Sequence, residues 1–134
     1  MRGDGIRLWE VRESRIESNR LRDGRDLVVW YSPGNRIASN HVSGGRYGTH
    51  LMYSHGNAIE DNRYEGNVVG VFVMYSRDVE IRDNLLARSH GAAGVGLGVK
   101  ESGNLTVVDN LFLQNTTGTY LDTSPLNKIG RAHV

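Results

Sequence analysis

The sequence predicts an all-β protein, a right-handed parallel β-helix of five to six coils with about 22 residues in each coil. The first observation is a tetrad in which a hydrophobic residue stands three positions before an asparagine. It occurs five times, with the asparagines 21, 22, 22 and 26 residues apart, and a fixed period in this range is typical of stacked repeats. The five asparagines are Asn19, Asn40, Asn62, Asn84 and Asn110.

The second observation concerns the start of each coil, where alternate residues are apolar. Eleven residues before the asparagine stand Leu8, Val29, Leu51, Val73 and Val99, and two residues earlier stand Ile6, Leu27, Thr49, Val71 and Leu97. Residues two apart face the same side of a strand, so both sets are predicted to point into the core. No window shows the 3.6-residue period of a helix, which favours this fold over a leucine-rich repeat.

Each coil also contains a second and a third strand. The hydrophobic residue of the tetrad marks the second strand, and a hydrophobic residue two positions after the asparagine marks the third. These positions are Ile16, Ile37, Ile59, Ile81 and Val107, and then Leu21, Val42, Tyr64, Leu86 and Phe112. Three short strands with glycine and asparagine at the corners are the pattern of a parallel β-helix.

The recurring asparagines are predicted to be structural. At a tight corner asparagine tolerates the left-handed backbone region, and its amide can bond to the asparagine of the coil above and below. Such a ladder satisfies polar groups where the backbone leaves the sheet. The sequence therefore predicts an asparagine ladder along one edge of the solenoid.

Residues 1–127 are predicted to form one domain, a β-helix truncated at both ends, because Gly5 already lies in mid-coil and the sixth coil is incomplete. Residues 128–134 read KIGRAHV, with Ala132 where a sixth asparagine is expected. One reading frame of a common sequencing adapter encodes the same seven residues. The segment is therefore predicted to be a non-native, adapter-derived tail.

Charge and composition exclude several classes of function. Without Lys128 and Arg131, residues 1–127 contain 14 basic and 15 acidic residues. A near-neutral net charge does not indicate nucleic-acid binding. No apolar run approaches the roughly 18 residues of a membrane-spanning helix. The absence of cysteine excludes disulfides and thiolate metal sites.

A row of carboxylates precedes three of the asparagines, at Asp61, Asp83 and Asp109. Paired carboxylates can act as general acid and base at a glycosidic bond, and polysaccharide lyases, epimerases and hydrolases on β-helices use acidic clusters. Aspartate before asparagine is also ordinary corner chemistry. A carbohydrate-active enzyme or a polysaccharide-binding domain is therefore the alternative function.

A strip of side chains is predicted to point outward from the first strand of each coil. The strip contains Trp30, His50, Met52, Phe72 and Met74, which alternate with the inward positions. Solvent-facing strand positions are normally polar, and an exposed apolar patch usually marks an interaction site. These five residues are therefore the candidate partner-binding residues.

The same strip contains candidate metal ligands. Thioether sulfur selects Cu(I), and imidazole accepts it, so His50, Met52 and Met74 could converge on that ion, with Trp30 as a neighbouring ring. The other histidines before residue 128 are His41, His55 and His90. The sequence predicts no tightly bound cofactor and at most a transient Cu(I) ion.

Two coils, GVFVMYSRDVEIRDN at 70–84 and GTHLMYSHGNAIEDN at 48–62, closely resemble those of the NosD family. The wider pattern is shared with the carbohydrate-binding and sugar-hydrolase (CASH) β-helix family, and the repeated MYS favours NosD. The resemblance covers Gly5 to about Asn127.

This resemblance implies a periplasmic protein that assists copper delivery and copper-centre assembly in nitrous oxide reductase. The implied partners are an ABC-type ATPase and permease, a copper chaperone and the reductase itself. The family is not known for catalysis of its own, so no catalytic residues are carried over and the chain is expected not to be an enzyme.

Overall fold

The computed structural model describes residues 2–134, which form 17 strands and no helix. The strands lie in three parallel sheets, A, B and C, and successive strands along the chain join A, B and C in turn. The predicted parallel β-helix is therefore confirmed, with about six coils. None of the described residues belongs to a helix that is long and apolar enough to cross a membrane.

Sheet A contains β1 (Ile6–Trp9), β4 (Asp26–Trp30), β7 (Tyr47–Met52), β10 (Val69–Met74), β13 (Val95–Lys100) and β16 (Thr117–Asp122). Sheet B contains β2 (Arg15–Glu17), β5 (Arg36–Ala38), β8 (Ala58–Glu60), β11 (Glu80–Arg82), β14 (Thr106–Val108) and β17 (Lys128–Gly130). Sheet C contains β3 (Arg20–Arg22), β6 (His41–Ser43), β9 (Arg63–Glu65), β12 (Leu85–Ala87) and β15 (Leu111–Leu113).

The strand register reproduces the predicted inward positions. In sheet A, Val29 pairs with Leu51 and Leu51 with Val73, and all three are buried. In sheet B, Ile59 pairs with Ile81, and neither has any exposed surface. A two-residue period therefore places the same column of each coil in the core, where apolar burial stabilises the stack.

One inward position is polar, and it is satisfied inside the coil. The hydroxyls of Thr49 and Tyr64 lie 2.7 Å apart, and both residues are buried. The Tyr64 ring lies against Gly48, where a Cβ atom would come within 2.4 Å of its Cδ1. Glycine at position 48 therefore makes room for the largest buried side chain of the core.

The recurring asparagines form a ladder between sheets B and C. The Oδ1 atom of Asn62 accepts two hydrogen bonds from Asn40, one from its backbone N–H at 2.9 Å and one from its side-chain Nδ2 at 3.0 Å. Nδ2 of Asn62 also donates to the carbonyl of Ile37 at 2.9 Å. The ladder therefore satisfies buried backbone groups of the neighbouring coil at each corner.

The left-handed residue at this corner is not the asparagine, contrary to the sequence argument. It is the residue before it, as at Ser39, Asp61 and Asp83, with φ of 56°, 55° and 56°. The asparagine side chain makes hydrogen bonds across the corner, and the residue before it adopts the left-handed conformation that turns the backbone.

Residues 128–134 depart from the repeat in sequence but continue it in the backbone. Strand β17 pairs with β14, and Ile129 stands opposite Val107. The Arg131 guanidinium contacts the Asp109 carboxylate at 2.7 and 2.9 Å. The non-native origin of this segment stays a prediction.

Candidate functional site

The outward face of sheet A brings together the five residues that the sequence singles out. Parallel pairing sets Trp30 opposite Met52 and Met52 opposite Met74 in one column. The neighbouring column sets His50 opposite Phe72. We call these five residues the outer patch.

His50 is less accessible than the prediction of an exposed patch implies. Only 5% of its surface is exposed, and the other four residues of the outer patch are partly buried. Its ring centroid lies 5.6 Å from that of Trp30, 5.0 Å from that of Tyr47 and 6.1 Å from that of Phe72. The outer patch is therefore a packed cluster on the outside of the sheet, with His50 at its centre.

Both ring nitrogens of His50 have neighbours. The indole N–H of Trp30 donates to Nδ1 of His50 at 3.4 Å, and Nε2 lies 3.3 Å from Sδ of Met74. An indole nitrogen can only donate, so Nδ1 must hold the lone pair. The neutral ring therefore carries its proton on Nε2 and directs it at the thioether, which is a weak acceptor.

Burial lowers the pKa of His50 to about 4, because desolvation penalises the charged imidazolium. The Asp26 carboxylate opposes this shift, while the Arg46 guanidinium adds to it. The ring is therefore neutral at neutral pH. A neutral imidazole is the form that binds a metal ion.

Three residues that the sequence argument missed support this cluster. Arg46 makes a two-point ion pair with Asp26, at 3.1 and 2.6 Å, and its guanidinium stacks over the ring of Tyr47 at 4.3 Å. The β4–β7 register shifts between Asp26 and Val28, which marks a bulge beside His50. The placement of Arg46 and Asp26 20 residues apart, near the coil period, was the available signal.

The other histidines lie apart from the outer patch. Nε2 of His41 is 3.7 Å from the carboxylate of Glu65, and Nδ1 of His55 accepts the backbone N–H of Arg77. Within residues 2–134 no three side chains of histidine, cysteine, aspartate or glutamate are grouped so as to hold a metal ion.

A row of tyrosines follows the strands of sheet A at the next corner. The ring of Tyr53 stacks between those of Tyr31 and Tyr75, at centroid distances of 5.4 and 4.9 Å and interplanar angles of 9° and 11°. All three residues adopt left-handed backbone conformations, with φ near 50°. Because the rings cover one another's faces, they offer mainly edges to solvent.

The carboxylate row lies on the opposite side of sheet B from the tyrosines. Asp109 pairs with Arg131, which lowers the pKa of Asp109, and Asp61 accepts a hydrogen bond from Ser39 at 3.2 Å. A general acid at a glycosidic bond needs a raised pKa. Asp109 therefore has the character of a paired surface carboxylate.

A comparison with curated proteins gives no match. The family model described as "Periplasmic copper-binding protein (NosD)" matches residues 1–134, the full length of the chain. Because this match covers the whole chain, the chain belongs to the NosD family of periplasmic copper-binding proteins.

Proposed function

We propose that the protein is a non-catalytic periplasmic accessory protein that assists copper delivery and copper-centre assembly in nitrous oxide reductase. The family supports a periplasmic, copper-related role. The observation that carries the proposal is the 3.3 Å contact between Nε2 of His50 and Sδ of Met74, with Met52 on the same strand as His50 and paired with Met74.

The chemistry of these donors selects the ion. Thioether sulfur is a soft ligand that prefers Cu(I), while imidazole suits several transition metals. Carboxylates, which suit harder cations, are absent from the outer patch itself. His50, Met52 and Met74 are therefore a donor set for Cu(I).

The 3.3 Å contact already brings two of the three donors together, Nε2 of His50 and Sδ of Met74. Met52 pairs with Met74 across adjacent strands, so its thioether is the third ligand that we propose.

Trp30 opposes copper binding and so favours release. A metal ion at Nε2 of His50 requires the ring proton to stand on Nδ1, where the indole N–H of Trp30 now points. The indole must turn away before the proton can occupy that position. Cu(I) binding therefore costs the Trp30 hydrogen bond, which suits a site that passes its ion on.

The outer patch is also the surface that we propose for partner docking. Trp30 and Phe72 are partly buried aromatic residues beside the metal ligands, and aromatic residues are enriched at protein interfaces. A copper chaperone docked there would be placed to exchange its ion with the thioethers. The ATPase and permease of an ABC-type system and the reductase complete the proposed set of partners.

The test replaces both thioethers by leucine, which preserves volume and removes the sulfur donors. In anaerobic competition with a chromophoric Cu(I) chelator, the Met52→Leu/Met74→Leu protein should lose about tenfold or more in Cu(I) affinity while its melting temperature stays unchanged. His55→Gln, which alters an exposed histidine elsewhere, is the matched control and should bind as the wild type does.

The same double variant in the full-length protein tests the biological role. We expect weaker binding to the copper chaperone and slower copper loading of the reductase. If the variant is folded and both readouts match the wild type, the outer patch is not the working surface and the proposal is wrong.

A further inference from the structure

The tyrosine row, Tyr31, Tyr53 and Tyr75, holds three of the six tyrosines of the chain. Each member directly follows the last residue of a sheet A strand, in three successive coils. The centroid of the Tyr53 ring lies 5.4 Å from that of Tyr31 and 4.9 Å from that of Tyr75, and the rings are nearly parallel. Tyr53 therefore has a tyrosine neighbour on each face.

The backbone of this corner does not explain why tyrosine recurs there. The φ angles of the three tyrosines are 50° or 51°, in the left-handed region, where asparagine and aspartate are favoured and bulky residues are uncommon. Glu10 and Glu101 occupy the same corner in other coils, with φ angles of 55° and 46°. Residues without a ring are therefore accepted at this corner, and what the tyrosines add is a stack of phenol rings.

The stack exposes the atoms at which an oxidised tyrosine reacts. A tyrosine that loses one electron and its phenol proton becomes a phenoxyl radical, and the free ring carbons that carry unpaired spin are the two Cε atoms beside the oxygen. Tyr31 and Tyr53 are 42% and 44% exposed, and Tyr75 is partly exposed. Because stacking covers the ring faces, the exposed part is mainly the edge, which carries the hydroxyl oxygen and the Cε atoms.

Neighbouring rings of the row are close enough for these carbons to meet. Equivalent backbone atoms of adjacent coils are about 4.8 Å apart, which is close to the distances between the ring centroids. Each ring can tilt about its Cα–Cβ and Cβ–Cγ bonds at this partly exposed corner. Contact between two Cε atoms therefore requires side-chain rotation and no change in the register of the coils.

The other three tyrosines lack such a neighbour. Tyr64 is buried in the core, with its hydroxyl 2.7 Å from that of Thr49. Tyr47 packs against rings of other residue types in the outer patch. Tyr120 is more exposed than any member of the row, at 55%, but it stands opposite Gly98 on the adjacent strand. Exposure and proximity are therefore separated within one chain.

We propose that the tyrosine row is a site of oxidative cross-linking, at which a one-electron oxidant joins Tyr53 to Tyr31 or Tyr75 as dityrosine. Each of the two tyrosines loses one electron and its phenol proton, and the two radicals form a bond between Cε atoms. The hydrogen on each bonded carbon then moves through solvent to the oxygen of its ring, which restores both phenols. In total, the oxidant gains two electrons and the solvent gains two protons. The cross-link does not depend on copper binding.

The test oxidises the intact chain with tris(bipyridine)ruthenium(III), generated by visible light and persulfate in the absence of copper. We expect dityrosine fluorescence and a monomer lighter by two hydrogen atoms. Tandem mass spectrometry of proteolytic peptides should find Tyr53 linked to Tyr31 or Tyr75. The yield per chain should stay constant on dilution, because the reaction is intramolecular. A yield that falls with dilution, or links formed mainly by Tyr120, would overturn the proposal.

Phenylalanine variants locate the site while keeping the stacked rings. In Tyr53→Phe the remaining two tyrosines of the row are two coils apart, about 9.6 Å, so the yield of intramolecular dityrosine should fall about tenfold or more. Tyr31→Phe and Tyr75→Phe each leave one adjacent pair and should keep a large part of the yield. Tyr120→Phe is the matched control and should couple as the wild type does. An unchanged yield in a folded Tyr53→Phe protein would show the proposal to be wrong.

The melting temperature of the cross-linked monomer gives an independent reading. Members of the row are 22 residues apart, so each link closes a loop of one coil and restricts the unfolded chain, as a disulfide does. If coupling occurs within the native stack, the cross-linked wild type should melt at a higher temperature than the untreated protein. Tyr53→Phe treated in the same way should show no such rise. A cross-linked wild type that melts no higher would contradict coupling in register.

Discussion

His50 is held neutral by its surroundings. Its ring is enclosed by aromatic neighbours and lies 3.3 Å from a thioether, so a proton on both nitrogens would place a charge where little water reaches. The nearby charges of Asp26 and Arg46 act in opposite directions on its pKa, and both matter less than burial. The lowered pKa therefore follows mainly from burial, and it connects the packing of the outer patch to folding stability.

We predict that the His50 environment makes the protein less stable as the pH falls from about 6.5 to about 4. In this window the unfolded chain binds a proton on His50 and the folded chain does not, because its pKa is about 4. The stability that the folded state gains because His50 is neutral in both states is complete above pH 6.5, and it is lost progressively as the pH falls below that value. It amounts to at most about 3 kcal/mol in the free energy of unfolding.

Urea denaturation at a series of pH values measures this slope. His50→Gln should flatten it between pH 6.5 and pH 4, whereas His55→Gln, at an exposed site, should keep it. A wild-type slope that survives in His50→Gln would mean that other groups account for the acid sensitivity.

At the scale of the strands, the corners depend on side-chain amides. An asparagine inside the ladder contacts the coils on both sides. Asn62 accepts from the backbone N–H of Asn40 and donates to the Ile37 carbonyl in the preceding coil, and its Nδ2 also donates to Oδ1 of Asn84 in the next coil. Strands of three residues in sheets B and C have few hydrogen bonds of their own. The ladder therefore fixes where each short strand begins and ends.

Asn62→Ala should lower the free energy of unfolding by about 2 to 4 kcal/mol. The substitution leaves the backbone N–H of Asn40 and the carbonyl of Ile37 buried without that partner, and each orphaned group costs about 1 to 3 kcal/mol. Arg20→Ala, on an exposed strand position, is the control and should change stability by less than about 0.5 kcal/mol. A loss below that value for Asn62→Ala would show that the ladder is not structural.

Strand positions were predictable from the sequence, while the contacts of the outer patch were not. The two-residue period and the repeated asparagine place Leu51 and Val73 in one column without further information. The enclosure of His50 depends on the bulge beside Tyr47 and on the Arg46 ion pair, which a regular repeat does not encode.

On the scale of the whole molecule, every coil is covered by its neighbours rather than by a separate layer. The inward residue of each strand rests on its equivalents in the coils on either side, as Ile81 does between Ile59 and Val107. Stability in such a stack is close to a sum of coil and interface contributions. The burial of the inward residue in each coil should therefore determine how much that coil contributes to the free energy of unfolding.

Ile81 and Ile129 occupy the same column but differ in burial, and so they test this view. Ile81 has no exposed surface, whereas 42% of the Ile129 surface is exposed. Ile81→Ala should lower the free energy of unfolding by about 2 to 5 kcal/mol, since the cavity lies between two coils that cannot collapse onto it. Ile129→Ala removes the same atoms from a half-covered position and should cost much less. Urea denaturation of the two variants measures the difference, and equal losses would contradict a stack in which coverage by neighbouring coils sets the energy.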